Sequence, residues 1–482
     1  MEEDVKRDFS VVNPATKEVT GRFVAAGKDD VAEAVQSARR AFPEWKMLGF
    51  ERRAQLLHKV ADYLEGEAEA IAEVITREMG RVRGESVPEV TKSAVFFRYF
   101  ADHAAEFLAP EDLDLTGLTL PEKRARILRE PRGVVAVVKP WNAPVQQVVW
   151  AVAPALSAGC CVIIKPSEYT PESGLALQAA FDQAGFPEGV VQTVVGDGAT
   201  GELLVNSDVD VVAFTGSVVA GRKVAQDCGR RLRKAVLELS GKDSLIVDPS
   251  VSNLDLVAAG IVYGAFSNCG QWCSSVERVF IPSALWDELV PRVVAQSKAL
   301  RVGAGWSGGV DMGPIANERQ FEIVSSIVQD AVDKGAKVLC GGSSMLDMEG
   351  FFFQPTVLCD VPKNARLATE NVFGPVVELV AFENIDEAIA GANSTNYGLG
   401  LSVWTDDASF AEYVTRRSDT GMVWVNEPLQ SFAPCPWSVV KDSGIGSELG
   451  CAGMREFTYD KVVQEQLSGN DTTRRPWYFP YA

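Results

Sequence analysis

Apolar and charged residues recur with a helical period through the first quarter of the chain. After a loop at Asn13-Pro14-Ala15-Thr16, this pattern predicts helices over 30–44, 51–79 and 85–108, with Asp29 or Asp30 as the first N-cap. Two β-rich runs follow at 125–128 and 133–138. Arg129-Glu130-Pro131-Arg132 separates them, so the pair reads as a hairpin. Beyond Pro140 the texture changes. Short runs rich in Val and Ile at 161–164, 191–195, 210–214 and 235–239 alternate with helical patterns over 171–183, from 199 and from 218. A second series of runs occupies 245–247, 278–281, 376–382, 401–404 and 422–425. Fully apolar strands separated by helices predict parallel sheets covered on both faces, hence two α/β domains. The aromatic tail from Arg474 to Tyr481 is expected to pack on something, such as another subunit.

Composition narrows the partners. The 482 residues include 46 basic and 65 acidic side chains, a formal charge of −19 that repels nucleic acid and anionic membranes. Nine cysteines without a CxxC pair suit a reducing, cytoplasmic setting and suggest neither a disulfide framework nor a metal site. The start, Met1-Glu2-Glu3-Asp4, lacks a basic region before an apolar one, and no apolar run approaches the roughly 18 residues a membrane helix needs. We therefore expect no metal, no membrane and no nucleic acid.

Candidate chemistry clusters at the ends of the predicted strands, where open parallel sheets bind ligands. Lys165-Pro166-Ser167-Glu168 offers an ammonium and a carboxylate to the hydroxyls of a ribose. Gly196-Asp197-Gly198-Ala199-Thr200-Gly201 opens a helix whose amides could approach a pyrophosphate, and Phe214-Thr215-Gly216-Ser217 starts another. Three such motifs on successive strand ends favour a dinucleotide. Leu237-Glu238-Leu239 reads either as solvent-facing alternation or as a half-buried acid with a raised pKa, and Pro140-Trp141-Asn142-Ala143-Pro144 as a rigid turn. The helical pattern over 254–266 leads into Ser267-Asn268-Cys269-Gly270-Gln271-Trp272-Cys273-Ser274, placing Cys273 on a turn after a helix. Taken alone, that octapeptide fits a buried cysteine as well as a nucleophile. Only His58 and His103 are available as histidines, both in helical segments, so a nucleophilic Cys273 would use a carboxylate as its base.

Together and in this order, these motifs resemble the NAD(P)-dependent aldehyde dehydrogenase superfamily, from Asn13-Pro14 to Glu448-Leu449-Gly450. The resemblance implies two Rossmann-like α/β domains with parallel sheets, one cofactor-binding and one catalytic, plus a small β oligomerisation domain. Their expected extents are 1–121 with 140–239, 240–454, and 122–139 with 455–482. It implies Cys273 as nucleophile, Glu238 as base, Asn142 as oxyanion donor with the amide of Cys273, and Glu448 as a second acid relaying protons. Lys165, Ser167 and Glu168 would hold the adenosine ribose. Gly198, Gly201, Phe214, Thr215, Gly216, Ser217 and Trp141 would line the rest of the cofactor site, with Glu370 and Phe373 at the nicotinamide ribose. The cofactor is expected to be NAD, because Glu168 would repel a 2′-phosphate, although NADP remains compatible. Homodimers or homotetramers are expected.

The expected reaction oxidises a small-molecule aldehyde to a carboxylic acid through a cysteine hemithioacetal and thioester, with Glu238 activating the hydrolytic water. Gln146, Trp150, Trp272, Ser274 and Trp437 would line the substrate pocket. Its tryptophans suit an aromatic or aliphatic aldehyde, or a cation cage of the betaine aldehyde type. A semialdehyde enzyme would want a tunnel arginine, which no motif identifies. A non-catalytic homologue would be expected to lose Cys273, Glu238 or Asn142. The chain departs from the family at Ser240, at Ala143 after the asparagine, and at Ser438-Val439, where glycines are usual.

Overall fold

The computed structural model describes residues 7–116 and 123–467. Two sheets dominate. The first contains β1 (Val134–Val138), β2 (Cys161–Lys165), β3 (Val191–Thr193), β4 (Val211–Thr215) and β5 (Lys234–Glu238), all parallel. The second contains β6 (Asp243–Val247), β7 (Val276–Pro282), β8 (Lys337–Cys340), β9 (Thr356–Cys359), β10 (Val376–Phe382), β11 (Gly400–Trp404) and β12 (Met422–Val425), with only β8 antiparallel to its neighbour. A two-residue strand, β13 (Gly444–Ile445), returns to the edge of the first sheet and pairs Gly444 with Glu238. The orders are β13-β5-β4-β1-β2-β3 and β8-β9-β10-β7-β6-β11-β12. The Val and Ile runs that predicted parallel strands are found among these strands, fully buried in β2, β4, β6 and β11 and partly exposed in β3, β5 and the edge strand β12.

The anticipated hairpin does not form. Lys123–Pro131 pairs with Glu111–Leu113 and Thr458–Gln466 in a separate three-stranded sheet, whereas β1 enters the first sheet after only Arg132 and Gly133. Gly133 makes that change of direction at φ 135°, and an added Cβ would lie 2.0 Å from a carboxylate oxygen of Asp210. The expected helix over 51–79 is likewise two helices, Phe50–Gly66 and Ala68–Met79, broken at Glu67. The tail from Arg474 to Tyr481 lies outside the described residues.

One apolar core runs from the N-terminal helices through the first sheet, and two more pack the faces of the second. In the first sheet the chain reverses direction between β1 and β4, which aims the segments after those strands, Lys139–Asn142 and Gly216–Ser217, at one crevice. Glu238 ends β5, and the chain turns through Ser240-Gly241 straight into β6. The carboxyl end of the first sheet therefore meets the amino ends of β6 and β7. The functional residues gather at that seam.

Candidate active site

Cys273 follows the helix Leu254–Phe266 and a short turn in which Asn268, Cys269 and Gly270 all adopt left-handed backbone angles, φ 50°, 57° and 69°. Such conformations cost non-glycine residues about 1 kcal/mol or more each, so the surroundings must enforce them. They do. The Asn268 side chain accepts from Arg81 Nε at 3.0 Å and donates to the carbonyls of Asn142 at 3.0 Å and Gln271 at 3.2 Å. Its backbone N–H donates to Glu85 at 3.1 Å. Arg81 also pairs with the buried Glu89, donates to the Asn142 carbonyl, and lies 4.6 Å from the Trp272 ring centroid. Glu89 in turn accepts from the amides of Val145 and Gln146 at 2.9 and 3.1 Å. One buried network thus fixes both the turn before Cys273 and the Asn142 turn. Gly270 is obligatory, since a Cβ would sit 2.1 Å from the Gly374 carbonyl oxygen.

Cys273 is common to two cavities. On one side, a space of about 490 Å³ is lined by Trp141, Asn142, Thr215, Gly216, Ser217, Glu238, Glu370 and Phe373, among others. On the other, a space of about 260 Å³ is lined by Gln146, Trp150, Trp272, Ser274 and Trp437, and by Arg81, Glu85, Glu89 and Lys92. The sequence motifs therefore separate into two groups that share the sulfur.

Glu238 and Cys273 titrate together. Burial first, and then the charge of Glu448, push Glu238 up to about 8. The Cys273 thiol and the Trp437 indole favour its charged form, though neither meets hydrogen-bond geometry. Burial and the neighbouring carboxyls of Glu238 and Asp243 push the Cys273 thiol up as well. Both oxygens of Glu238 are buried without a protein donor, so the carboxyl is open to a proton from sulfur or from substrate water. Asn142 donates one amide hydrogen to the Gln271 carbonyl at 3.0 Å, which leaves its second for a developing oxyanion. Behind this group, Lys139 pairs with Glu448 in full burial and donates to Thr215 Oγ1 at 2.8 Å.

The crevice beside β1 and β4 suits a dinucleotide. Ser217 caps the helix Val218–Arg230, whose N-terminus borders the 490 Å³ cavity, and Val219 stands 83% exposed there, an apolar surface awaiting a flat apolar partner. Lys165 Nζ lies 3.5 Å from Glu168, and Tyr169 beside them meets Trp141 edge to face. Trp141 also meets Phe373 edge to face, with ring centroids 5.5 Å apart. Gly198 and Gly201 do not line this space. The helix they begin is capped by Asp197, which occupies the amides of Ala199 and Thr200 that were expected to face a phosphate. Lys165, Ser167, Glu168 and Phe214 also lie off the cavity's lining, and Glu370 is held by Arg366 at 2.9–3.0 Å.

Arg81, Glu85, Glu89, Asn268 and Lys139 were missed in the sequence. Glu85 and Glu89 recur at i,i+4 on one helix face, the one pattern that marked them. The departures at Ser438-Val439 are absorbed by small β-ladders. Trp437 pairs with Glu448, Ser438 with Ser447, and Val440 with Gly398. The nine cysteines are free. Among the described residues, no group of metal-ligating side chains is present and no helix is long and apolar enough to cross a membrane.

A thiol beside a buried carboxyl and an amide donor, set between a dinucleotide-shaped crevice and a second cavity, is the arrangement of an aldehyde-oxidising enzyme, and the chain belongs to the aldehyde dehydrogenase family, whose model matches residues 1–463. It is 34% identical over 462 residues to a betaine aldehyde dehydrogenase of Bacillus subtilis, covering 94% of this chain and 93% of the relative. It is 37% identical over 456 residues to succinate-semialdehyde dehydrogenase (NADP(+)) 1 of Mycobacterium bovis, covering 94% and 99%. Among solved structures, the NAD+ complex of an aldehyde dehydrogenase from Bacillus cereus superposes with a TM-score of 0.92 at 32% identity, covering 96% of this chain and 94% of that one.

Proposed function

We propose that this enzyme oxidises an aldehyde to a carboxylic acid with NAD as its hydride acceptor, Cys273 as nucleophile and Glu238 as base. The observation that carries this reading is the position of Cys273, which borders both cavities and lies beside Glu238. Relatives named for both NAD and NADP support use of a nicotinamide dinucleotide. Glu168, half exposed beside Lys165, favours NAD by repelling a 2′-phosphate.

When bound in the larger cavity, the nicotinamide would supply the hydride acceptor. Trp141, Ser217 and Phe373 line that space, and Lys165 with Glu168 is assigned to the adenosine ribose. Cys273 Sγ bonds to the carbonyl carbon while its proton passes to Glu238. Asn142 Nδ2 and the Cys273 amide stabilise the oxyanion, a kind of donor whose removal typically costs about 3 kcal/mol of barrier. With the acyl group left on sulfur and the first proton released from Glu238 to solvent, Glu238 takes a proton from water, the oxygen attacks the acyl carbon, and the C–S bond breaks as Glu238 returns that proton to sulfur to restore the thiol. Lys139 and Glu448 hold a fixed charge pair behind Glu238 and tune its protonation.

The three-stranded sheet, with Leu113, Tyr459, Val462 and Leu467 partly or largely exposed, is the proposed surface for a homodimer or homotetramer. The functional test is reduction of NAD by a panel of aldehydes, with Cys273→Ala as control. Cysteine-dependent turnover is expected. A folded, NAD-binding protein that turns over none of the panel overturns the reading.

A further inference from the structure

The aldehyde-side cavity holds four charged side chains, and three are committed to the fold. Arg81 is bound by Glu89, Asn268 and the Asn142 carbonyl. Glu89 is saturated by Arg81 and two backbone amides, and Glu85 accepts from the Asn268 amide. Lys92 is different. It lies on the helix Arg83–Phe107 and lines the cavity, with its ammonium 5.7 Å from the Phe432 ring centroid. Among the described residues, no carboxylate lies within ion-pair distance of it, and Glu427 is the acid whose charge it feels. A half-buried ammonium without a carboxylate at ion-pair distance is costly unless a ligand supplies one.

The remaining walls agree. Gln146 Nε2 donates to Ser431 Oγ at 3.2 Å, and Gln147 Oε1 is buried without a donor, so the cavity is polar along one side. Trp150 and Trp437 form the apolar wall, with centroids 4.9 Å apart. Arg81 already lies against the Trp272 ring, which leaves Trp150 and Trp437 as the indoles that can face a ligand. At about 260 Å³, the space accommodates an aldehyde chain together with a terminal polar group.

Resting on the aldehyde dehydrogenase reading above, we propose that the substrate is a short-chain aldehyde bearing a carboxylate at its far end, and that Lys92 is the counter-ion that selects it. Lys92 is then a specificity residue, remote from the reacting carbonyl. The apolar wall shields the intervening methylenes, and the ammonium meets the carboxylate in a partly desolvated ion pair.

The test is steady-state kinetics with saturating NAD, comparing succinic semialdehyde, butanal of the same chain length, and betaine aldehyde. Wild type, Lys92→Met and Lys92→Arg are each assayed. Wild type is expected to favour succinic semialdehyde over butanal by about tenfold to a hundredfold in kcat/KM, mainly through KM, with betaine aldehyde poorest. Lys92→Met should erase that preference by raising KM for succinic semialdehyde about tenfold or more, and Lys92→Arg should keep most of it. An unchanged thermal unfolding midpoint shows that the variant is folded. Equal wild-type use of butanal and succinic semialdehyde overturns the inference while leaving aldehyde oxidation intact. So does a Lys92→Met variant that loses both substrates alike. Failure of every aldehyde would instead overturn the catalytic reading itself.

Discussion

Replacing Glu238 by Gln should move activity and stability in opposite directions. Burial lifts this carboxyl from its ordinary value of 4.5 to about 8. The folded state therefore holds a proton that the unfolded chain releases, and stability falls as pH rises from 4.5 through 8. Above pH 8 the accumulated penalty is on the order of 5 kcal/mol. Gln is neutral in both states and escapes it. Near pH 5 the two proteins should unfold within a few degrees of each other, whereas near pH 9 Glu238→Gln should be the more stable. Activity runs the other way. Only about a tenth of Glu238 is ionised at pH 7, so the wild-type rate should climb nearly tenfold per pH unit below 8 and level off above it. Glu238→Gln should lose that limb, with turnover down about a hundredfold to ten-thousandfold. Thermal unfolding at the two pH values, with kcat measured across the range, checks both halves. Other buried acids, such as Glu78 and Glu378, titrate in both proteins and cancel in the comparison. A stability difference that does not change between pH 5 and pH 9, or a wild-type rate flat below pH 8, would refute the reasoning.

Other perturbations probe the frame around that acid. Lys139→Met strands the Glu448 carboxylate in the core and should destabilise the protein by about 3–5 kcal/mol in denaturant unfolding, with much of the loss recovered by adding Glu448→Gln. Gly270→Ala drives a methyl group into the Gly374 carbonyl at a left-handed position, and should abolish soluble expression or turnover while Gly185→Ala, in open space, is far milder. Glu168→Ser removes the carboxylate near the expected 2′-position, and the NAD-to-NADP ratio of kcat/KM should fall at least about tenfold.

Parallel strands were legible because burial on both faces leaves an unbroken apolar run, as in Cys161–Lys165 and Val211–Thr215. The same signal misled between Lys123 and Val138. Adjacent β-rich runs look alike whether they pair with each other or leave for different sheets, and only the tight approach of Gly133 to Asp210 marks the change. Cys273, Glu238 and Asn142 stood out through their motifs. Arg81, Glu89 and Asn268 did not, because a buried ion pair and a left-handed asparagine are defined by what surrounds them in space. Gly198 and Gly201 show the converse. Their spacing suggested a phosphate loop, but Asp197, just before them, caps the helix with its own carboxylate.

Cys273 borders both chambers, and in the proposed reaction this has kinetic meaning. In the proposed reaction an acyl group on Cys273 would occupy the smaller chamber and leave the larger free for exchange. Spent dinucleotide can then depart before the acid is released. A blocker lodged among Trp150, Trp437 and Lys92 would compete with aldehyde yet leave dinucleotide affinity untouched. One plugging the crevice beside Trp141 and Ser217 would do the reverse.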